Sequence, residues 1–513
     1  MKNLKKIVAI ALTAMMLLSI SAVSFADTEL VDYTAWVAKD DMFTTTDDFN
    51  NFSMINKILC HLWGDTLVEY DYDKGEYFNA LATDIHWSED YLDCYFTIRE
   101  GVYFSNGAEV TAEDVAFSYQ RIVRDADKLA NTMVWFKLLG AEATDKYSGV
   151  IHFSQMMPNF NSEAYWVPII CKEAHEADPD GFWNAPIGSG PYKWIETDFT
   201  ANTGRLEFWN AEWWGYEAFG KEPSNIKYVG IKDIDEETTR VSSVRTGEIS
   251  VGMAIPYDSI ATLESDGINV LKNDSGSNVY LLLNCHEGSP FADPDVRKAL
   301  SLAIDRDLIM DAIIGFGKVS TFPVPDYIGG YEEGHSYEYN PELAKEILAA
   351  SSYNGEEIKL DNGGVIAQGD EVAQAIQFML NEVGFNITIN IMETAAYNAA
   401  GFGGDYAMQL RSFSMNNGEA FKVMDEIIGP TDVFQSGLVN EEAFAIIEVA
   451  ENTMDLAERN DLEKQAFALI FDNYGPNVYL YDTSYAIGVV PQISGVVLHN
   501  DTTMELRFMT IAQ

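Results

Sequence analysis

The chain is short of positive charge, of cysteine and histidine, and of long apolar runs. Its 513 residues hold 32 lysines and arginines against 80 aspartates and glutamates, a formal net charge of −48. Such a surface repels DNA, RNA and anionic lipid headgroups, so no nucleic acid is an expected partner. The acids are spread along the chain rather than blocked into a tail, which serves solubility first and attraction of a cationic ligand second. The four cysteines, Cys60, Cys94, Cys171 and Cys285, are widely spaced and include no C-x-x-C. Cys60 and Cys94 could pair in an exported chain, or each thiol could be a small buried hydrophobe. Seven histidines are scattered, with no H-E-x-x-H and no cluster at ligand spacing. That argues against a zinc or nickel centre, and no cofactor is expected. G-x-S-x-G, P-loop and dinucleotide fingerprints are also missing. Two carboxylates would suffice for a glycosidase, but with 80 acids any pair can be drawn. No enzymatic activity is expected.

Only the amino terminus is strongly apolar. Lys2, Lys5 and Lys6 form a positive segment, Ile7 to Ile20 an apolar one, and Ser24-Phe25-Ala26 a small-x-small cleavage site. The run is too short for a comfortable membrane anchor, which takes about 20 residues. Residues 1–26 therefore read as a cleaved signal peptide. Asp27 follows the cut where a bacterial lipoprotein would need cysteine, so no lipid anchor is expected. Loss of three lysines with the leader takes the charge from −48 to −51.

What remains is rich enough to fold: 47% of residues are hydrophobic and 12% aromatic. Strand and helix patterns alternate without short repeats. Asp71-Tyr-Asp73-Lys-Gly75 has the look of a calcium loop, but it lacks the third ligand and its glycine comes one place early, so it reads as a hairpin turn. Thr111 is a helix N-cap with Asp114 placed to reach back, and Val115, Tyr119 and Ile122 share one face. Before that helix the pattern reads as a strand, a Gly-centred turn and a short strand. Asp293 and Pro294 open another helix, with Val296, Leu300, Ala303 and Ile304 on one face. Asn340-Pro341 opens a third. Val372, Ile376, Met379, Leu380 and Val383 form a stripe ended by Gly384, and Phe385 to Ile391 alternates as a strand with one buried face. Gly188-Ser-Gly190 has the glycines of a phosphate-cradling loop. Pro191 removes a backbone donor there and no Lys-Ser/Thr follows, so it reads as a structural turn.

Several of these runs carry more than secondary structure. Phe96 to Arg121 resembles the "LR-x-G-v-x-F-x-x-G-x-x-V-T-A-E-D-V-x-x-S-x-x-R" signature of extracytoplasmic solute-binding proteins of the oligopeptide, dipeptide and nickel type. Asn184 to Tyr192 resembles their "P-x-G-T-G-P-Y" element, with Ser189 for threonine, and Asn210 to Trp214 their "N-x-x-Y-W". Pro290 to Asp305 is similar to "P-F-x-D-x-x-V-R-x-A-l-x-x-A-I-D". The matches run in family order from about residue 60 to residue 392.

The resemblance implies an α/β, two-lobed periplasmic-binding-protein-like fold with an extra subdomain and a ligand cleft between the lobes. It implies a first lobe built from residues 27–58, 180–278 and 475–513, an extra subdomain over 59–179, and a second lobe over 279–474. It further implies the substrate-binding component of an ABC importer, delivering a small solute to a membrane permease by hinge closure. A monomer at the periplasm or the outer face of the cytoplasmic membrane is expected.

A peptide is the leading expectation for the solute, with an oligosaccharide or other non-peptide as the alternative. Peptide-binding members carry a "Y-D-x-x-l-x-G-W-x-x-D-Y-x-D-P" segment whose acid pairs with the peptide's amino group. The corresponding stretch here is Tyr406 to Glu419, with Phe413 at the tryptophan and Asn416 and Asn417 near the aspartate. A neutral amide cannot neutralise a buried ammonium, so Glu419 is the candidate for that role. Asn278 and Tyr280, on the strand leading between lobes, are expected to approach the ligand from the hinge side.

Overall fold

The computed structural model of the protein describes residues 29–39, 43–47, 49, 54–129, 135–320, 322–414, 420, 423–424, 427–430 and 432–512. The leader and its expected cut lie outside them. The first strand, β1 (Val31–Lys39), buries Ala35, Val37 and Ala38. Two short strands follow, β2 (Val68–Asp71) and β3 (Glu76–Asn79), paired as a hairpin. Asp71 Oδ1 accepts the N–H groups of Asp73 and Lys74 at 3.1 Å each, so the aspartate closes the turn.

Strands β4 (Ala82–Trp87), β5 (Asp93–Ile98), β6 (Leu138–Ala143) and β7 (Ser148–Phe153) make a separate antiparallel sheet in the order β4-β5-β7-β6. The helix Ala112–Arg124 packs on it. Asp114 Oδ2 accepts the Thr111 N–H at 2.9 Å, closing the capping pattern read from sequence. Val115, Tyr119 and Ile122 are buried with Phe96 and Ile151. The short strand expected before this helix is a single bridge, Tyr103 to Glu109. The chain reverses at Asn106-Gly107, with Gly107 at φ 87°, too tightly for a longer ladder.

Ten further strands are β8 (Tyr192–Asp198), β9 (Thr203–Phe208), β10 (Ile226–Asp233), β11 (Val251–Gly252), β12 (Asn269–Leu283), β13 (Gly317–Val319), β14 (Glu357–Asn362), β15 (Asn386–Ile391), β16 (Met408–Ser414) and β17 (Asn477–Val489), and four two-residue strands near the carboxyl end pair among themselves. With β1 the ten form one eleven-stranded mixed sheet, ordered β15-β14-β16-β12-β17-β11-β1-β10-β9-β8, with β13 added beside β17. One core lies on the β1–β11 half, around Val37, Leu206, Ile231 and Val251. A second lies on the β14–β16 half, where Val279, Leu360 and Leu410 meet the helices Pro294–Ala303 and Gly369–Val383. A third joins Tyr280 and Leu282 to the helices Glu441–Ala450 and Leu456–Asp472.

The helix stripes fall where the spacing puts them, with Val296, Leu300, Val372, Ile376 and Leu380 all inaccessible. β15 departs from its pattern. Ile387 is buried but Ile391 is 71% exposed, because β15 is the edge of the sheet and its far end has no covering helix. None of the four cysteines is in a disulfide with another. Cys60 belongs to the first core and Cys94 to the subdomain core, so the pairing left open by sequence does not form.

Two of the signature runs meet at one buried carboxyl. Ser189 Oγ donates to Asp65 Oδ2 at 2.6 Å, Trp213 Nε1 to Oδ1 at 2.8 Å and Trp214 Nε1 to Oδ2 at 3.2 Å. Burial raises the pKa of Asp65 against these donors. A Cβ at Gly188 would lie 2.2 Å from the Trp63 carbonyl oxygen, so that turn needs glycine for close approach.

Candidate functional site

Two strands carry the chain from one half of the sheet to the other. On the β11 side, Asn269 to Asp274 of β12 pair with Val489 to Ser484 of β17. On the β16 side, Asn278 to Leu282 pair with Asp482 to Asn477. The register shifts between Asp274 and Asn278, so the ladder is interrupted where the lobes meet. On the β12 side bending there disturbs few backbone bonds, which suits a hinge, while β13 pairs with Tyr481–Thr483 of β17 on the other side.

A cavity of about 710 Å³ opens beside this crossing. Its walls are Ala254–Asp258, just past β11; Asp311–Phe316, just before β13; Ile366–Gln368, past β14; and Tyr481 with Thr483–Ala486 of β17. It therefore lies between the lobes, largely at the carboxyl ends of strands, where open α/β sheets place ligands. Tyr257, just past β11, stacks on Phe316, just before β13, ring centroids 5.3 Å apart at 22°. Phe316 also packs against the first core, although Ile313, Ile314 and Val319 around it pack against the second.

Backbone conformation at the rim is unusual. Ala254 and Gln368 take φ 48° and 57°, a region that side-chain-bearing residues seldom occupy. Ala254 is pinned from both sides. Its N–H donates to the Tyr485 hydroxyl at 3.1 Å, and its carbonyl accepts from Arg240 Nη2 at 2.9 Å. Arg240 is fully buried and also donates to the carbonyls of Met253 at 2.7 Å and Ile234 at 2.6 Å. One guanidinium thus fixes the loop that leads into the cavity. No pattern in the sequence singles it out.

Asn278 is 1% exposed and donates from Nδ2 to Ser320 Oγ and to Asp482 Oδ1, both at 2.8 Å. Tyr280 is 1% exposed in the third core, its ring 5.8 Å from Tyr479. Phe413 stands beside Asn278 in register and packs on that core, partly buried. These three come together on β12 and β16, outside the cavity wall just described. Asn416, Asn417 and Glu419 lie outside the described residues. Asp482, which no pattern singled out, is buried at the crossing, and desolvation pushes its carboxyl up to about 7. Among the described residues no group of histidine, cysteine and acids stands at metal-holding distance, and no helix is long and apolar enough to cross a membrane.

Residues 76–435, well over half of the chain, match the bacterial extracellular solute-binding proteins, family 5 Middle. The chain belongs to family 5 of these solute-binding proteins. It is the solute-binding component of an ABC importer, and not an enzyme. Glutathione-binding protein GsiB of Escherichia coli O6:K15:H31 is 26% identical over 455 residues, 85% of this chain and 86% of that protein. The structure of HbpA2 from Haemophilus parasuis superposes with a TM-score of 0.82 at 22% identity, covering 94% of this chain and 100% of that one. The periplasmic binding protein DppA of Helicobacter pylori, in complex with peptide STSA, gives 0.74 at 22%, covering 94% and 99%. Both structures have the same two-lobed α/β fold.

Proposed function

We propose that this family 5 protein captures a short peptide between its lobes and hands it to a membrane permease. The observation that carries the reading is the cavity at the β12–β17 crossing, walled by both lobes and by the hinge itself. A solute there touches both lobes only when they are closed, so its binding energy goes into closure. The peptide class is supported by the relative named for glutathione, itself a peptide, over 85% of the chain.

The lobes run as 27–58, 180–278 and 475–513 for the first, 59–179 for its extra subdomain and 279–474 for the second. Export removes residues 1–26 and leaves an unlipidated monomer outside the cytoplasmic membrane, without affinity for nucleic acid. In the recognition segment, Asn416, Asn417 and Glu419 are the proposed contacts, with Glu419 taking the amino group, and Phe413, outside the cavity wall, serves from the third core. Asn278 and Tyr280 serve from behind, Asn278 by holding Asp482 at the crossing.

A thermal-shift panel of peptides, amino-sugars and oligosaccharides tests the reading, since a ligand that binds only the folded state raises the midpoint by mass action. Peptides are expected to shift it. A shift with oligosaccharides and none with peptides at millimolar concentration refutes the peptide class.

A further inference from the structure

Every charged side chain on the cavity wall has the same sign. Glu237 and Asp258 stand on the first lobe and Asp311 on the second, and among the described residues no lysine, arginine or histidine lines the space. The rest of the wall is apolar or aromatic, with Ile255, Ile313, Ile314 and Ile366 beside Tyr257, Phe316 and Tyr485. Tyr481, also in the wall and 1% exposed, has a hydroxyl with no hydrogen-bond partner among the described residues. An aromatic face flanked by carboxylates attracts a cation, through the ring quadrupole and through charge. A carboxylate in the same place would meet three like charges with no basic group to offset them. The overall charge of −48 favours approach of a cationic solute in the same sense.

We propose that this cavity is selective for a cationic peptide with apolar neighbours. The ammonium or guanidinium lies against the Tyr257–Phe316 stack, facing Glu237, Asp258 and Asp311, and the flanking apolar side chain lies on the isoleucines. The inference rests on the peptide reading above and narrows it. It also sets this chain apart from a glutathione site, because glutathione carries two carboxylates against one ammonium.

The test is calorimetry of the purified protein with Leu-Lys-Leu, Leu-Gln-Leu, Leu-Glu-Leu and glutathione, in about 20 mM and about 500 mM salt to vary screening. The lysine peptide is expected to bind about 10-fold tighter than the glutamine peptide at low salt. The glutamate peptide and glutathione should bind at least about 10-fold weaker than the glutamine peptide, and the spread should narrow at high salt. Asp258→Asn combined with Asp311→Asn, both at exposed positions, should cut the lysine-over-glutamine ratio at least about threefold. Equal affinity for all three peptides, or tightest binding of glutathione, overturns the charge selectivity and leaves the peptide reading standing. An unchanged ratio in the double variant overturns its assignment to this cavity. Binding of oligosaccharides with no peptide bound overturns both readings.

Discussion

Replacing Asp482 by asparagine should stabilise the protein in alkaline solution and less so as the pH falls. Asp482 is 3% exposed, accepts from Asn278 Nδ2 at 2.8 Å, and stands in register with Lys318 across β13 and β17. Burial is the largest influence and raises its pKa from 3.8 to about 7. Lys318 and the hydrogen bonds from Asn278 and Ser320 pull the other way, while Asp326 adds to the rise. Lys318 cannot serve Asp482 alone, because its ammonium also pairs with Asp326 at 2.8 Å.

The sign follows from proton counting. Between the unfolded value near 4 and the folded value near 7, the folded protein keeps a proton that the unfolded chain has released. Stability therefore falls as pH rises through that window, and the whole penalty is in place above it. A rise of this size corresponds to at most about 4 kcal/mol, and relaxation around the ionised group brings it to about 2–4 kcal/mol. Asparagine has the shape of the protonated acid, keeps an acceptor for Asn278, and does not ionise. Asn278 Oδ1, buried and without a partner among the described residues, offers an acceptor for the new N–H. Thermal unfolding of wild type and Asp482→Asn at pH 5 and pH 8.5 decides the matter. The variant should gain about 2–4 °C over wild type at pH 8.5, for a chain unfolding with about 1 kcal/mol/K of entropy. At pH 5, already inside the window, somewhat under half of that gain should remain, about 1–2 °C. A difference that is the same at both pH values refutes the reasoning.

Arg240→Met should destabilise the first lobe by about 3–5 kcal/mol, because the buried carbonyls of Met253, Ala254 and Ile234 lose their donor; urea denaturation reads it, and a loss below about 1 kcal/mol contradicts the role. Phe316→Ala removes a stacked pair between the lobes worth about 0.5–1.5 kcal/mol, so the apparent dissociation constant should rise about 2- to 10-fold while the unfolding midpoint changes little. Small-angle scattering should show the variant more open without solute, and an unchanged envelope with unchanged affinity removes the latch. Glu419→Gln should weaken a free-amine peptide by about 10-fold or more, or about 1.5–3 kcal/mol, and spare its N-acetylated counterpart. Equal loss for both peptides in calorimetry takes Glu419 out of amine recognition.

How much of this was legible in the sequence depended on where the determining forces act. Caps and stripes are local. Asp293 accepts the Asp295 N–H at 2.9 Å, Asn340 accepts the Leu343 N–H at 3.1 Å, and Gly384 takes φ 113° after the stripe, all within a few residues of the pattern that announces them. The signature runs were legible for a different reason. Ser189 and the two tryptophans of Asn210–Trp214 are fixed because they must reach Asp65, more than 120 positions away, and Gly188 because it must clear the Trp63 carbonyl. The chemistry at Asp65 is scaffold chemistry, so a resemblance carried by those residues reports the fold and says little about the solute.

The cavity wall was illegible for the complementary reason. Tyr257 opens a helix, and Phe316, Ile366 and Gln368 stand on loops at strand ends, where no periodicity marks them; their meeting depends on β17, which begins more than 100 residues further along the chain. Asn278 and Tyr280 illustrate the converse. Their position on β12 is readable, but the β12–β17 pairing and Ser320 beside β13 determine which side chains are covered, and they cover both. The strands specify the hinge and the loops specify the solute. Substitutions at the rim, Asp311 and Tyr257 first, should therefore retune selectivity at little expense in stability, since both are exposed. Substitutions at Asp65, Arg240 or Asp482 act through burial and should change stability whatever solute is present. A set of rim variants that lost folding free energy as heavily as Arg240→Met would break that division.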